Sequence, residues 1–253
     1  MGERRILFIC EGLEDEPAFL KRLMEVSYPA LSYRIYPYKT TIHTLASKLE
    51  MDYPDFDSGD MDINLILREM ETDEGKKKFL SEKYSDIVLA FDFEPHHDRP
   101  NFKTVLRMLA YFTDSSDMGK LYINYPMMQS FKHFYCFPDL GYRTRFASPY
   151  RYKERVGEES RFSDLTKYTY ETFVRIAVQN IKKAYDILYS QYILPSCDDY
   201  LAVEWSKIYL QEVAIFQERS ETHVLNTLSF FLIDYNPTRF LEMVVRHPEK
   251  YDS

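Results

Sequence analysis

DIVLAFDF, residues 86–93, is the clearest buried-strand signal in the sequence. Its apolar residues are almost continuous, a pattern typical of a strand that other elements cover on both faces. RILFIC, residues 5–10, is a second run of this kind. Two more strands are predicted at residues 33–38 and 121–125, so the first half of the chain should contain a four-stranded sheet.

Helical patterns separate the predicted strands. Residues 14–26 begin with three acids, which suit a first helical turn, and continue with an apolar stripe that would face a core. The other helices of this half are predicted at residues 41–49, 63–70, 102–112 and 127–137. Strands that alternate with helices indicate an α/β fold, with a parallel sheet flanked by helices.

The C-terminal third shows helical spacing alone. Apolar residues keep that spacing over a long stretch that begins near Asp164, and no strand is predicted beyond it. Further helices are predicted at residues 199–217, 224–234 and 237–245. Three parts are therefore expected: an α/β domain at residues 1–140, a connecting segment at 141–163 and an all-helical region at 164–253.

The charges of the 253-residue chain are unevenly distributed. The net charge is −8, yet residues 1–100 hold 21 acidic and 13 basic side chains, whereas residues 101–253 hold 19 of each. Residues 120–155 have a net charge of +5. An acidic part beside a basic part suits a metal site next to a phosphate site. An ordinary solvated surface explains the same charges, so this pattern leaves both interpretations open.

The composition excludes several classes of protein. With 45% hydrophobic and 16% aromatic residues the chain can bury a large core, so it is not disordered. Its three widely separated cysteines predict neither a disulfide framework nor a structural zinc site. The sequence shows no secretory leader and no run of about 18 apolar residues that would span a bilayer. A cytoplasmic location without membrane contact is therefore expected.

Carboxylates follow two of the predicted strands. Glu11 comes directly after the first strand, whereas Asp92 and Glu94 lie at the end of the third, and Asp98 follows them. In open α/β folds, ligands bind beyond the carboxyl ends of the strands, which meet at one edge of the sheet. Asp92 and Glu94 are two positions apart, so their side chains should project from the same face of the strand.

Three carboxylates at one edge would repel one another unless a cation neutralises them. Mg²⁺ prefers oxygen ligands completed by water and phosphate, so the predicted metal ligands are Glu11, Asp92 and Glu94. Each acid taken alone is more simply a solvated strand end or a helix cap, and the prediction depends on all three together. His96 and His97 follow closely and could ligate a transition metal or transfer protons, although polar loop residues are the simpler interpretation.

These motifs resemble those of the Toprim domain. FICEG at residues 8–12, an acid-rich helix start and FDFE at residues 91–94 are similar to the motifs of this catalytic unit. Topoisomerases, DnaG-type primases, OLD-family nucleases and RloB-like proteins of phage-defence loci share it. The resemblance implies that Glu11 acts in acid–base or metal chemistry and that Asp92 and Glu94 hold Mg²⁺ or Mn²⁺. The second acid of the family's pair is Asp, whereas this chain has Glu94.

Stand-alone Toprim-like proteins contain a further segment, to which NYPMMQSFK at residues 124–132 is similar. Gln129 stands where the resemblance leads us to expect Glu, and a neutral amide ligates a cation weakly. Lys132 would act as a catalytic residue by stabilising developing charge, although a solvated surface lysine explains it as well. Asp15 and Asp98 are additional candidate acids.

The function that the resemblance implies is metal-dependent hydrolysis of phosphodiester bonds in DNA or RNA. Divalent ions would activate water, and Glu11 would serve as general base or acid. The expected setting is antiviral defence with an ATPase partner protein, and a homodimer is a further option. The alternative is a catalytically degenerate subunit with a regulatory or scaffolding role, which Gln129 and Glu94 favour. A nucleotide-binding or receiver-like domain ranks third, because the chain has no Gly-rich phosphate loop.

YRTRFASPYRYKERVGEESRF, residues 142–162, interleaves basic and aromatic side chains. Basic groups neutralise phosphates and aromatic rings stack on unpaired bases, so this segment suits a nucleic-acid path. A segment whose rings pack beneath the C-terminal helices explains the pattern equally well. The nucleic-acid-binding residues predicted here are Arg143, Arg145, Arg151, Lys153 and Arg155.

Overall fold

A five-stranded sheet lies at the centre of the structure, a computed structural model that describes residues 4–59, 61–248 and 251. The strands lie in the order β2-β1-β3-β5-β4, and every neighbouring pair is parallel except β4 and β5. They are β1 (Arg5–Cys10), β2 (Ser32–Pro37), β3 (Asp86–Asp92), β4 (Thr113–Asp114) and β5 (Gly119–Asn124). The predicted α/β fold with a mostly parallel sheet is confirmed, and the outermost residues of the predicted 1–140 and 164–253 parts lie outside the described residues.

Helices flank this sheet. Side-chain caps fix four of the starts: for example, Thr41 accepts a hydrogen bond from the Thr44 N–H ahead of α2, and Asn101 accepts one from the Thr104 N–H ahead of α5. The helix α4 was not expected, since its sequence EGKKKFL has little apolar periodicity. The helices of the first half are α1 (Asp15–Ser27), α2 (Ile42–Asp52), α3 (Ile63–Met70), α4 (Glu74–Leu80) and α5 (Phe102–Tyr111).

The prediction of a helix at residues 127–137 is wrong. Only Met128–Lys132 is helical, as a 3₁₀ segment. The Met128 N–H donates to the Asp92 carboxylate, and the Arg161 N–H donates to the carbonyl of Phe134. Backbone groups of this stretch therefore bind partners that are distant in sequence, and these bonds outweigh its local helical pattern.

The prediction that no strand follows Asp164 is also wrong. A short β6 (Phe146–Ala147) pairs in antiparallel fashion with β7 (Thr222–His223). Tyr125 and Leu225 also exchange two backbone hydrogen bonds of 2.8 Å. Pairings of one or two residues are too short to produce an alternating pattern in a sequence.

The helix α6 was not predicted, whereas the helices after it follow the prediction with two interruptions. Residues 199–217 divide into α8 and α9, and residues 224–234 begin with a 3₁₀ turn before α10. In the described part of the chain, no helix has the length and apolar character needed to cross a membrane. These helices are α6 (Tyr152–Glu159), α7 (Tyr170–Tyr189), α8 (Cys197–Ala202), α9 (Ser206–Arg219), α10 (Phe231–Tyr235) and α11 (Pro237–Arg246).

One hydrophobic core joins all three predicted parts of the chain. Phe19 of α1 contacts Phe131 at a ring-centroid distance of 4.8 Å and Phe173 of α7 at 5.3 Å. The buried side chain of Asn226 donates to Asn124 Oδ1 at the end of β5, at 3.0 Å. The C-terminal helices therefore pack directly on the unit that contains the sheet.

Candidate functional site

Glu11 and Asp92 meet at the carboxyl edge of the sheet. β1 and β3 are neighbours and parallel, with Cys10 opposite Ala90, so the residues that follow them emerge side by side. Glu11 Oε2 accepts a hydrogen bond from the Asp92 N–H at 3.3 Å. The structure thus brings together two of the three predicted metal ligands.

Asp92 is a buried carboxylate. Its Oδ1 accepts the Met128 N–H at 2.6 Å, and no hydrogen bond to its Oδ2 occurs among the described residues. Burial raises its pKa well above the ordinary value, and the nearby charges of Glu11 and Glu16 add to that rise. Asp92 therefore presents an oxygen that the surrounding protein leaves uncompensated.

Glu94 departs from the strand geometry that the sequence predicts. β3 ends at Asp92, and Glu94 has a φ of 45°, in the left-handed region, so the alternation of strand faces does not extend to it. Its charge still raises the pKa of Glu11. Glu94 Oε2 lies 3.5 Å from His96 Nε2, and Glu94 therefore borders the two buried acids.

Glu16 belongs to the acidic group, although the sequence analysis did not single it out. It is buried in the first turn of α1, and this burial raises its pKa. A Cβ at position 12 would collide with Glu16 Oε2, so Gly12 is needed for its approach. The available signal was three successive acids at a helix start, which does not reveal which of them faces inward.

Glu11 has a pKa raised to about 8. Burial is the main cause, followed by the charge of Glu94, and Glu16 adds a smaller repulsion. The hydrogen bond from Asp92 and the charge of Lys153 oppose the rise. Glu11 therefore exchanges its proton near neutral pH, within the range that suits a general base or acid.

The contribution of Glu11 to protein stability should fall as the pH rises from about 5 to about 8 in EDTA. An acid whose pKa is higher in the folded than in the unfolded chain binds more protons when folded, so raising the pH through this range favours unfolding. Glu11→Gln removes this effect, and its free energy of unfolding should exceed that of the wild type by about 4 kcal/mol at pH 8, with little difference near pH 4.5. Urea unfolding at both pH values measures the difference in unfolding free energy between the variant and the wild type. A difference that does not change with pH would contradict the raised pKa of Glu11.

A complete cage for a metal ion does not exist across residues 4–59, 61–248 and 251. No group of three or more His, Cys, Asp and Glu side chains there is arranged to hold one. The acids are thus close enough to raise one another's pKa values, but no three of them are arranged to hold one ion in this conformation. Mg²⁺ is commonly held by only one or two carboxylates together with water and substrate phosphate. Glu11 and Asp92, with hard oxygen donors and an unbonded Oδ2, fit such an open site.

An open cleft of about 420 Å³ lies in front of Glu11. Its walls are residues 11–16, residues 39–41 at the end of β2, and Lys153 of α6. Lys39 has a φ of 68° and donates its N–H to the Glu11 carbonyl at 3.0 Å. Two lysines therefore share one cleft with the acids, as a site for a phosphate beside a cation requires.

Asp15 and Gln129 lie at the side of this cleft. Gln129 Nε2 donates to Asp15 Oδ2, and Lys153 Nζ lies 3.6 Å from the same oxygen. Gln129 is buried, and its Oε1 has no hydrogen-bond partner among the described residues. The 124–132 segment thus borders the acids, with an amide that binds Asp15.

Asp98 and Lys132 are not joined to the acids by any contact of the described residues. Asp98 is exposed on the loop after β3. Lys132 is half-buried, and its Nζ lies 5.6 Å from the ring centroid of Phe131. Their predicted site roles receive no support from this placement.

All five basic residues predicted to bind nucleic acid have carboxylate partners, and that of Lys153 is Asp15 in the cleft. Arg143 pairs with Asp186 at 2.8 Å, Arg151 with Glu154 and Arg155 with Glu159 at 2.9 Å. Arg145 is buried against Asp139 at 3.0 Å. Lys153 differs, because it lines the cleft that contains the acids.

Arg145 is a structural residue, and we remove it from the predicted nucleic-acid path. Its Nη1 donates to the His133 carbonyl at 2.7 Å and its Nη2 donates to both Asp139 oxygens. The fully buried Lys183 donates to the backbone carbonyls of Tyr142 and Arg145 at 2.9 and 2.7 Å, and burial lowers the pKa of this amine. The basic-aromatic segment is therefore anchored in the core.

The histidines and the cysteine near the acids differ in exposure. His43 is buried beside His97, accepts the Asn101 N–H at 3.1 Å and has its pKa lowered to about 4, mainly by burial. Burial raises the pKa of the Cys10 thiol, so this residue is an inert part of β1. His96 is exposed and faces Glu94.

Comparison with protein-family models, with curated proteins and with solved structures gives no significant match to this chain. Fold and site together define an α/β protein with buried acids at the carboxyl edge of a mostly parallel sheet. The likeness to the Toprim domain remains a resemblance of short motifs.

Proposed function

We propose that this protein is a divalent-metal-dependent nuclease that hydrolyses phosphodiester bonds in DNA or RNA. One observation carries the proposal: Glu11 and Asp92, both with raised pKa values, meet at a sheet edge beside an open cleft that Lys39 and Lys153 also line. The negative charge of the acids favours binding of a cation, and the positive charge of the lysines favours binding of an anion beside it.

The negative charge of the acids supports a cation site. Burying carboxylates without a counter-charge is costly, and proteins usually accept that cost where a metal or a proton is used. When bound, Mg²⁺ or Mn²⁺ polarises a phosphate oxygen and lowers the pKa of a water ligand. Glu11 and Asp92 would hold the ion, with Glu94 and Glu16 as neighbouring charges.

The residues of the chain account for the remaining steps. Lys39 and Lys153 attract the phosphodiester into the cleft and balance its charge. Glu11, with a pKa raised to about 8, takes the proton of the attacking water or returns one to the leaving oxygen. Asp92 is fixed by the Met128 N–H, which limits its movement as charge develops.

Asp92→Asn is the direct test of the cation site. The amide keeps the acceptor for the Met128 N–H but removes the charge, so the fold should survive while Mn²⁺ binding weakens at least about tenfold. Calorimetric titration with Mn²⁺ and cleavage of labelled DNA and RNA measure both properties. Asp98→Asn is the matched control and should behave as wild type. If Asp92→Asn binds Mn²⁺ and cuts nucleic acid normally, the cation site does not include Asp92 and the proposed site is wrong.

A catalytically degenerate regulatory or scaffolding subunit is the second candidate. Two observations favour it: the described residues form no three-ligand group, and Gln129 supplies an amide beside Asp15. A wild-type protein that binds no divalent ion in calorimetry and cuts no nucleic acid would support this candidate.

The antiviral setting, the ATPase partner, the homodimer and the cytoplasmic location are carried by the motif resemblance and the sequence patterns alone. Purification of the tagged protein from its native host, followed by identification of co-purifying chains, tests the ATPase partner. Light scattering measures the oligomeric state.

A further inference from the structure

One ring of the basic-aromatic segment faces solvent. Tyr142 and Tyr152 are almost fully buried, whereas Tyr150 is 59% exposed. Phe146 and Phe162 of the same segment are half-buried. The interleaved aromatic pattern is thus mostly core, and Tyr150 is the exception that needs another explanation.

Tyr150 lies next to the candidate active site. Its ring packs against His96 with centroids 5.3 Å apart and planes at 42°. His96 Nε2 in turn lies 3.5 Å from Glu94 Oε2. Two contacts therefore connect an exposed aromatic ring to the acids at the sheet edge.

The residues on both sides of Tyr150 are anchored in the protein interior. Pro149 before it is buried, and the Tyr152 hydroxyl after it bonds to the buried His133 Nδ1 at 2.9 Å. Arg151 between them has a φ of 58°, a left-handed conformation that is costly for a residue with a Cβ. The chain is therefore anchored on both sides of Tyr150, whose side chain remains exposed.

Cationic side chains flank the ring. Arg151 is 83% exposed at its side chain, and Lys153 lines the cleft in front of Glu11. An exposed aromatic ring followed by cations at positions 151 and 153 matches the combination of stacking and phosphate contacts that binds a nucleic-acid strand. In a duplex both faces of each base are covered by its neighbours, so only an unpaired base could stack on Tyr150.

We propose that Tyr150, supported by His96, is a stacking platform for an unpaired base beside the cleft, and that the substrate is therefore a single-stranded nucleic acid. This inference rests on the proposed nuclease function, because it assigns the substrate class of that site. A phosphate next to the stacked base is then held by Lys153 near Glu11.

The test is binding of a fluorescein-labelled single strand, compared with a duplex of the same sequence, by anisotropy in EDTA at low salt. The wild type should prefer the single strand. Tyr150→Ala should weaken single-strand binding about 5- to 100-fold, the effect of losing one stacked base, and should change duplex binding less than about twofold. Tyr150→Phe keeps the ring and should bind as the wild type does.

Tyr189→Ala is the matched control. Tyr189 is also an exposed tyrosine, but its ring packs on Tyr185 near the end of α7, whereas that of Tyr150 packs on His96 beside Glu94. Unchanged single-strand binding by Tyr150→Ala overturns the inference, as does an equal loss of duplex binding or an equal loss in Tyr189→Ala. Weak binding by Tyr150→Phe also overturns it, because the hydroxyl and not the ring would then matter.

The two proposals fail in different assays. Without a divalent ion the binding assay does not depend on hydrolysis, so an effect of Tyr150→Ala stands even if no cutting is found. Conversely, suppose that the wild type cuts nucleic acid, that Asp92→Asn abolishes the cutting, and that Tyr150→Ala binds normally. The nuclease proposal then stands and only the stacking platform is refuted.

Discussion

Glu11→Gln is expected to lower the rate of metal-dependent cleavage at least about a thousandfold, because one substitution removes both a proton-transfer group and a cation ligand. The fold should be unaffected, since the glutamine oxygen still accepts the Asp92 N–H that Glu11 Oε2 binds at 3.3 Å. The same variant should be more stable than the wild type at pH 8. A substitution that stabilises the chain while abolishing its activity is the signature of a residue kept for function.

Mg²⁺ adds a second measurement to this experiment. It should raise the Tm of the wild type, because an ion that binds only the folded chain shifts the unfolding equilibrium. The Tm of Glu11→Gln should respond much less. Glu25→Gln, on the exposed side of α1 beside Arg22, removes the same charge outside the cleft and should keep both activity and the Mg²⁺ response. Full activity in Glu11→Gln would refute the assignment of the site.

Arg145→Ala is expected to cost about 3–5 kcal/mol of folding stability, because it leaves the carboxylate of Asp139 buried without its partner. Arg145 is only 7% exposed, and its guanidinium forms three hydrogen bonds to Asp139 and the His133 carbonyl. It also lies 4.3 Å from the ring centroid of Tyr135. A loss of this size is a large fraction of the roughly 5–15 kcal/mol that stabilises a typical protein.

Chemical denaturation of purified variants measures this loss. Arg151→Ala, in the same segment but with an exposed side chain, should change stability by less than about 0.5 kcal/mol. Arg145→Met combined with Asp139→Asn should cost less than the sum of the two single changes, since the double variant leaves no unpaired charge. If Arg145→Ala instead folds normally and loses nucleic-acid binding, the prediction from the sequence was right and the structural role is wrong.

The sequence predicted the sheet because its signals are local. Continuous apolar runs such as those of β1 and β3 identify buried strands without knowledge of their neighbours. A carboxylate after each of two parallel strands then places Glu11 and Asp92 at one edge by geometry alone. The closeness of these two acids could therefore be predicted from the sequence alone.

The remaining parts of the site depend on contacts between distant segments. Glu14, Asp15 and Glu16 look alike in sequence, and only the packing of α1 shows that Glu16 faces inward. Arg145 and Lys153 belong to one basic pattern, yet one is a core ion pair and the other lines the cleft. Spacing along the chain carries no information about these differences.

The hydrogen bonds between the end of β5 and the C-terminal region limit which parts of this chain can be replaced in a gene fusion. Tyr125 and Leu225 share backbone hydrogen bonds, and Asn226 completes the bonding of Asn124 just before the 124–132 segment. A gene fusion that kept residues 1–163 and replaced the rest would leave these groups unbonded beside the acids. Residues 1–163 are therefore not expected to form a stable module without the C-terminal region.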